Sequence, residues 1–470
     1  MNYRSICFFA SLFCFPVSIL ACVNILYASY FDYFLSIESY FITLAISLIF
    51  GISFYLYGRK SNKKINFIEQ LILIIFIYFL IGLFISIPFY LSNLNINLIS
   101  AYFESISGLT GTGFSNFENL KYLDPTLILW RSSSQWIGGL FFLIFLILIF
   151  SDKKFNYKMT NFTFASDSNL KSEEVFKINI TKIFIFYCIL SLLIFFAFNL
   201  SGVRLFNSLN LTMTLVSNGG FLPSDTLSEI ISTNFQKTIL IIVLLFSLLN
   251  FFFLFNIFKR QTLIKKHVED FYLIFLALAL ILLIYFNNFN GMEIIISVLS
   301  SLSNSGISLL KAENNLSLFF LLITIIGGSL ISNSSGIKLS RFYILLKITS
   351  YEIIRLISPN SVINKTIFNK ENKISDENIK ISFLIFISFF LSLFILSSFL
   401  IIDNLGFESS FKLSILTLTN TVNSEMYTLQ NLNFANLLTS SKISLIIFMI
   451  IGKIELISVF LIFKKIFFKD

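Results

Sequence analysis

The sequence predicts an all-α polytopic membrane protein, in which four pseudo-repeated helix–pore loop–helix units follow two leading transmembrane helices. Of the 470 residues, 56% are hydrophobic and 13% are charged, about half the charged fraction of a soluble domain. Several apolar runs reach the roughly 20 residues that a helix needs to cross a bilayer. Short turns rich in Gly, Ser, Thr and Asn recur between them. These observations exclude a soluble protein and indicate an internal repeat.

The charges of the connecting loops predict the orientation in the lipid bilayer. The predicted spans lie near residues 6–29, 37–57, 68–91, 126–150, 180–200, 237–258, 270–286, 317–348, 380–402 and 443–463. Most basic residues lie in the loops on one side, as Arg59, Lys60, Lys464 and Lys465 do. By the positive-inside rule that side is the cytoplasm, so both termini are predicted to be cytoplasmic. This distribution accounts for the net charge of +9, and no nucleic-acid partner is predicted.

The chain after the leading helices divides into four units of the same kind. We predict leading helices in residues 1–64 and pore repeats at 65–158, 159–262, 263–365 and 366–470. Each unit contains an even number of full spans, so all four point the same way and their turns enter from the outer side. Parallel repeats around one axis are typical of a pore, whereas inverted repeats are typical of a rocking transporter.

The four turns are predicted to form an ion-selectivity filter. Aligned on the turn, their sequences are TGTGF, SNGGF, SNSGI and NTVNS, which makes Gly113, Gly220, Gly306 and Asn423 equivalent. Glycine adopts positive φ without steric cost, and rings of backbone carbonyls in such loops replace an ion's water. A single turn of this kind is more often a polar loop between helices, but four in register favour the filter. The predicted ion ligands are the carbonyls of Thr110, Gly111, Thr112, Gly113, Ser217, Asn218, Gly219, Gly220, Ser303, Asn304, Ser305, Gly306, Asn420, Thr421, Val422 and Asn423.

The 317–348 span is predicted to contain a gate. It exceeds the length of a membrane helix, and its middle, GGSLISNSSG, resists a continuous helix. The alternative is a merely kinked, over-long helix. Lys453 lies too deep in the last span to reach the interface, so we expect it to repel cations at the gate or to pair with an acid on another helix. The predicted gate residues are Gly327, Gly328, Ser329, Asn333, Gly336 and Lys453.

The remaining ionisable residues are predicted to be ordinary. Glu104 and Glu408 begin or precede short helices, and we expect them to be solvated or to cap those helices. His267 is the only histidine and follows Lys265 and Lys266, so we expect a solvated loop residue. An enzyme is not predicted, because the chain offers no cluster of catalytic groups, and no covalently bound cofactor is expected.

Six segments resemble motifs of one transporter family. They are ISGLTGTGFS (106–115), WRSSSQWIGG (130–139), SNGGFLPSD (217–225), GGSLISNSSGIKLSRF (327–342), YEIIRLISPNSV (351–362) and GKIE (452–455). They resemble the Trk/Ktr/HKT superfamily of potassium transporters, most of all its bacterial Trk membrane subunit. The resemblance implies a protein of the bacterial inner (plasma) membrane that transports potassium bound at the filter residues. It also implies a homodimer and a cytosolic nucleotide-binding regulatory partner of the RCK type.

Three departures from the family pattern leave the transported ion open. Asn423 stands where the family has the fourth filter glycine, and Lys453 stands where it has arginine. The break in the third repeat is richer in Ser and Asn than is usual in the family. The alternative function is therefore a sodium-conducting or weakly selective monovalent cation transporter of the same fold. The sequence does not distinguish a channel from a proton- or sodium-coupled symporter.

Overall fold

All regular structure in the described part of the chain is helical. The computed structural model describes residues 2–33, 35–61, 65–117, 119–150, 172–258, 267–285, 291–310, 314–358, 374, 376–429 and 432–454. Its helices are α1 (Tyr3–Tyr30), α2 (Ile37–Gly58), α3 (Phe67–Tyr90), α4 (Leu98–Thr110), α5 (Pro125–Phe150), α6 (Ser172–Leu200), α7 (Leu205–Val216), α8 (Asn234–Leu248), α9 (Phe251–Phe258), α10 (Val268–Tyr285), α11 (Gly291–Ser303), α12 (Asn314–Ile326), α13 (Leu339–Ile357), α14 (Asp376–Ile402), α15 (Phe407–Leu418) and α16 (Thr439–Ile454).

The helices repeat four times in the order long incoming helix, short helix, outgoing helix, and the outgoing helix is broken in the second and third repeats. The short helices α4, α7, α11 and α15 contain 13, 12, 13 and 12 residues. A helix of that length spans about 18 Å, well short of the roughly 30 Å hydrocarbon core. Each short helix therefore enters the membrane and ends in a turn, from which the chain leaves again. The predicted fold class is confirmed.

The leading helices α1 and α2 pack along each other and α1 also contacts α3 and α5. Their close approach depends on a glycine, because a Cβ atom on Gly58 would lie 2.5 Å from the backbone nitrogen of Phe8. The leading pair therefore packs against the first repeat, at α3 and α5.

Long apolar helices identify the bilayer as the surroundings. Among the described residues, six helices are long and apolar enough to cross a membrane, or seven if the bent pair of α8 and α9 counts as one span. Large apolar side chains are exposed on them, such as Phe275 at 70% and Phe394 at 59%. Apolar faces of this extent suit contact with lipid rather than with water.

Two predicted spans differ from a single straight helix. The span predicted at 237–258 is wrong in form, because α8 ends at Leu248 and α9 continues at an angle of 112°. The span predicted at 317–348 is divided as expected, since α12 ends at Ile326 and α13 begins at Leu339. The last predicted span is described only as far as Ile454, and its residues 455–463 lie outside the described residues.

Candidate functional site

The turns after the four short helices share one backbone conformation. Their second residues, Gly111, Asn218, Asn304 and Asn420, have φ values of 78°, 56°, 63° and 48°. In this left-handed region glycine is the easiest residue to place, and asparagine is the best tolerated of the others. The next residues fold back on their helices, as in the bonds from Gly219 N to Thr214 O (2.8 Å) and from Thr421 N to Leu416 O (2.9 Å).

This conformation corrects the predicted register of the fourth turn. The equivalent of Gly111 is Asn420, so Val422 and not Asn423 occupies the position of Gly113. Asn423 is absent from the left-handed residues, and its side-chain amide donates instead to Leu429 O at 3.2 Å. Asn420 and Asn423 are three residues apart, so the sequence allows either of them to be aligned with the left-handed position. The alignment that makes Asn423 equivalent to Gly113 is wrong.

The four turns meet at Gly113, Gly220, Gly306 and Val422. A Cβ atom on Gly113 would lie 2.8 Å from the Cα atom of Gly220 and 3.0 Å from Cγ2 of Val422. One on Gly220 would lie 2.2 Å from Cβ of Val422, and one on Gly306 would lie 3.0 Å from its Cγ1 atom. The side chain of Val422 therefore lies next to the three glycines of the other repeats and is partly buried.

Hydroxyl pairs line the inner part of three turns. Thr110 and Thr112 approach to 2.7 Å, Ser303 and Ser305 to 3.3 Å, and Thr419 and Thr421 to 2.9 Å between their side-chain oxygens. All of these side chains are buried. In the second turn Gly219 takes the place of the second hydroxyl residue, so this pair has no counterpart there.

A buried ion pair that the sequence analysis missed holds the first turn. Glu104 was expected to be solvated or a cap, but its side chain is fully buried and accepts a hydrogen bond from Arg131 Nε at 2.9 Å. Glu104 also accepts from the backbone nitrogen of Asn116 at 2.8 Å. The Arg131 guanidinium lies 4.1 Å from the ring centroid of Phe221, which belongs to the second turn. An arginine in an otherwise apolar span was the available signal.

Five of the six predicted gate residues lie in one loop, which packs against the end of α7 and the fourth turn. The loop at 327–338 joins α12 to α13, and Gly327 and Gly336 adopt φ values of 71° and 80°. Asn333 donates to Val216 O at the end of α7 (2.8 Å), and Ser335 donates to Oδ1 of Asn420 (3.0 Å). Within the loop, the backbone nitrogen of Gly328 donates to Ser334 Oγ at 3.0 Å.

Lys453 reaches this loop from α16. Its ammonium group donates to Asn333 O at 2.9 Å and lies 4.5 Å from the ring centroid of Phe142. The side chain is 3% exposed. Among the described residues no carboxylate forms an ion pair with Lys453, and Glu455 lies outside them. Lys453 therefore contacts the loop that contains the other predicted gate residues, and its role in repelling cations stays a prediction.

The loop at 327–338 also packs against the break between α8 and α9. Ser329 N donates to Leu248 O (3.2 Å), and Phe251 N donates to Ile331 O (2.9 Å). The backbone nitrogen freed at Asn250 donates to Asp270 Oδ1 at 2.8 Å. The polar Asn250 inside an apolar run was the signal for this break in the sequence.

Residues at the start of α10 stabilise the break between α8 and α9. The expectation that His267 is a solvated loop residue is wrong. This side chain is 7% exposed rather than solvated, and its Nδ1 atom lies 3.4 Å from Asp270 Oδ2. Glu269, which precedes Asp270, accepts a hydrogen bond from Leu330 N in the loop at 327–338 at 3.1 Å. Two adjacent carboxylates therefore take up backbone donors that two helix breaks have released.

The fold and the converging turns define an α-helical membrane protein with four repeats around one pore. Among curated proteins, the chain is 27% identical over 452 residues to the uncharacterized cation transporter MJ1485 of Methanocaldococcus jannaschii, covering 90% of this chain and 89% of that protein. It is 26% identical over 467 residues to the Trk system potassium uptake protein TrkG of Escherichia coli, covering 93% and 92%. No family model matches.

Among solved structures, the crystal structure of the potassium transporter TrkH from Vibrio parahaemolyticus matches with a TM-score of 0.88 at 20% identity, covering 98% of each chain. TrkH of Escherichia coli is 22% identical over 455 residues, covering 92% of each chain. The chain is a homologue of the Trk system potassium uptake proteins TrkG and TrkH, as the sequence motifs predicted. These relatives are transport proteins, not enzymes.

Proposed function

We propose that this protein takes up potassium across the inner (plasma) membrane of a bacterium. The observation that carries the proposal is the meeting of Gly113, Gly220 and Gly306 with Val422. Backbone oxygens brought to one place by four parallel turns are the chemistry that replaces the hydration shell of a monovalent cation. The names of the relatives, potassium uptake proteins, supply the ion.

The proposed ligands are the backbone carbonyls of residues 110–113, 217–220, 303–306 and 419–422. The fourth segment follows the corrected register, so Asn423 leaves the proposed set and Thr419 enters it. The four short helices direct their partly negative C-terminal ends towards this place, which favours a cation there. The hydroxyl pair of Thr110 and Thr112 adds small polar side chains without bulk.

The loop at 327–338 is the proposed gate. It contacts the end of α7 through Asn333 and the fourth turn through Ser335, so it lies next to the proposed filter. Its glycines allow a conformation other than helix. Lys453 adds a buried positive charge beside it, which opposes the passage of cations while the loop stays in this position.

A sodium-conducting or weakly selective transporter of the same fold is the second candidate. The observation that favours it is Val422, because a branched side chain stands where the other repeats have glycine. Such a side chain makes the four quarters of the proposed filter unequal. The two candidates differ in the ratio of potassium to sodium uptake and in nothing else that the fold determines.

The experiment that tests the proposal is rubidium uptake by proteoliposomes containing the purified protein. Gly220→Ser is expected to abolish uptake or change its ion preference, because the added Cβ atom would lie 2.2 Å from Cβ of Val422. Gly113→Asp acts in the same way, with a φ of 79° that disfavours any side chain. Gly406→Ser is the matched control, since its Cβ atom would meet nothing nearer than 3.5 Å. Unchanged rubidium uptake in both filter variants would contradict the proposal.

We also propose the homodimer and the cytosolic nucleotide-binding subunit that the family resemblance implies. The support for this assembly is the sequence similarity of the chain to Trk system potassium uptake proteins. The mass of the detergent-solubilised protein, measured by light scattering, tests the homodimer. Uptake measured with and without an RCK-type subunit from the same cell tests the regulatory partner.

A further inference from the structure

We propose that three asparagines and one glutamine form a belt of hydrogen bonds around the site that sets the spacing of the four turns. The belt consists of Asn218, Asn304, Asn420 and Gln135, whose side chains are at most 2% exposed. They are positioning residues, because they act on the ion through the turns. The inference rests on the proposed function, since it concerns the ion selectivity of that same site.

Each asparagine uses both protons of its side-chain amide. Asn218 Nδ2 donates to Ser247 O in α8 (3.1 Å) and to Ser303 O in the third turn (3.0 Å). Asn304 Nδ2 donates to Thr324 O in α12 (2.8 Å) and to Thr421 Oγ1 in the fourth turn (3.3 Å). One bond thus ties a turn to the long helix of its own repeat, and the other ties it to the next turn.

The fourth repeat closes the series onto the first. Asn420 Nδ2 donates to Met449 O in α16 (2.9 Å) and to Thr112 Oγ1 in the first turn (3.0 Å). The direction is the same in all three cases, from the second turn to the third, the third to the fourth and the fourth to the first. Three of the four gaps between neighbouring turns are therefore bridged by the same residue in the same backbone conformation.

The remaining gap, between the first and second turns, is held differently. The first turn has Gly111 at the asparagine position and has no side chain to offer. Gln135 of α5, the helix that follows the first turn, ties that helix to the second turn, because its Oε1 atom accepts from Phe221 N at 3.2 Å. Its side chain occupies the gap, since a Cβ atom on Gly219 would lie 2.3 Å from that same oxygen.

The place for a fourth asparagine exists at Gly111. A Cβ atom there would have Ser217 O at 3.7 Å and Asn218 O at 3.8 Å as its nearest neighbours, both in the second turn. These are ordinary contact distances, and the φ of 78° is one that asparagine tolerates. A side-chain amide at position 111 would thus face the neighbouring turn, as the other three do.

The belt has a consequence for ion selectivity. Buried hydrogen bonds link three of the four pairs of neighbouring turns, and one more ties the second turn to α5. These bonds oppose any inward movement of one turn towards a smaller ion. When one link is lost, that quarter of the site can close on sodium. Selectivity for rubidium over sodium is then reduced, whereas the amount of folded protein affects uptake of both ions equally.

The test measures the ratio of rubidium to sodium uptake in proteoliposomes. Asn304→Gly and Asn420→Gly keep the left-handed backbone but remove the amide, and we expect each to lower the ratio about tenfold, since two hydrogen bonds are lost. Asn404→Gly is the matched control, because Asn404 has a φ of 66° outside the four turns and should leave the ratio unchanged. An unchanged ratio in both belt variants would overturn the inference.

A swap tests the link between the first and second turns. Gln135→Ala should lower the ratio, and adding Gly111→Asn should restore at least part of it by building the missing asparagine bridge. A purely structural role for Gln135 predicts no such recovery, and a double variant no better than Gln135→Ala would overturn its assignment to the belt.

The failure of the proposed function has its own signature. If the wild-type protein carries neither ion, the proposed function is refuted, and hydrogen–deuterium exchange then decides on the belt. Faster exchange of residues 419–422 in Asn304→Gly than in Asn404→Gly would support the belt. Equal exchange would overturn it.

Discussion

At the scale of single residues, Val422 distinguishes the fourth repeat from the others. Its branched side chain lies next to Gly113, Gly220 and Gly306. We expect Val422→Gly to raise rubidium uptake relative to sodium by roughly fivefold, the effect of about 1 kcal/mol on a barrier. The measurement is uptake of the two ions by proteoliposomes.

Asn423→Gly is the control for Val422→Gly. In the register predicted from the sequence, Asn423 would be the residue to change, whereas the observed register predicts little effect from it. A larger effect at Asn423 than at Val422 would contradict the assignment made here.

The buried pair of Glu104 and Arg131 makes a stability prediction. Glu104→Gln leaves a buried guanidinium without its counter-charge, which costs about 3 kcal/mol or more. We expect a lower melting temperature in detergent, measured by intrinsic fluorescence. Glu408→Gln is the control, because the carboxylate of Glu408 is bonded to Lys412 but is 80% exposed. Exposed pairs contribute about 1 kcal/mol at most, so equal shifts in the two variants would be inconsistent with this reasoning.

At the scale of elements, the sequence predicted the short helices and missed one break. Regular spacing, glycine-rich turns and length were sufficient for α4, α7, α11 and α15. The bend between α8 and α9 was missed because an apolar run of normal length contains only Asn250 as a signal. The partners that make the bend stable, Asp270 and the loop at 327–338, are far away in the sequence.

In the candidate site too, some features could be predicted from the sequence and others depend on contacts between distant elements. The residues of the four turns were found from their composition, but the register of the fourth was not, because Asn420 and Asn423 both suit a left-handed position. Only the neighbouring repeats decide between them. The burial of Glu104 and His267 also depends on contacts between elements, which periodicity does not reveal.

The contact between α16 and the gate loop predicts a change in leakage. Lys453→Met removes a positive charge that lies beside the loop. A unit charge ~10 Å away acts with about 1.7 kcal/mol at an effective dielectric constant of 20, so rubidium leakage through proteoliposomes without a regulatory partner should rise by roughly 15- to 20-fold.

Lys442→Met provides the control in the same helix. Lys442 is buried too, but it donates to Ser100 Oγ (2.8 Å) and Ala435 O (3.0 Å), away from the loop. Leakage should stay at the wild-type level in this variant. The role of Lys453 would be refuted if both methionine variants leaked alike.

At the scale of the whole molecule, the orientation is open to a direct test. In a background without the natural cysteines, Tyr122→Cys precedes α5 and should react with a membrane-impermeant thiol reagent added outside intact cells. Ile357→Cys ends α13 and should react only after the membrane is opened. Both side chains are well exposed, at 87% and 77%. The reverse pattern of labelling would refute the predicted cytoplasmic location of the termini.

The docking of the gate loop at the bend after α8 links distant parts of the molecule. Ser329 and Phe251 form backbone hydrogen bonds across that junction. The loop therefore cannot withdraw unless these bonds break or α9 moves with it. A force that displaces α9 would therefore also displace the loop at 327–338. The third repeat supplies the proposed gate, and the second repeat supplies the helix break to which that loop is bonded.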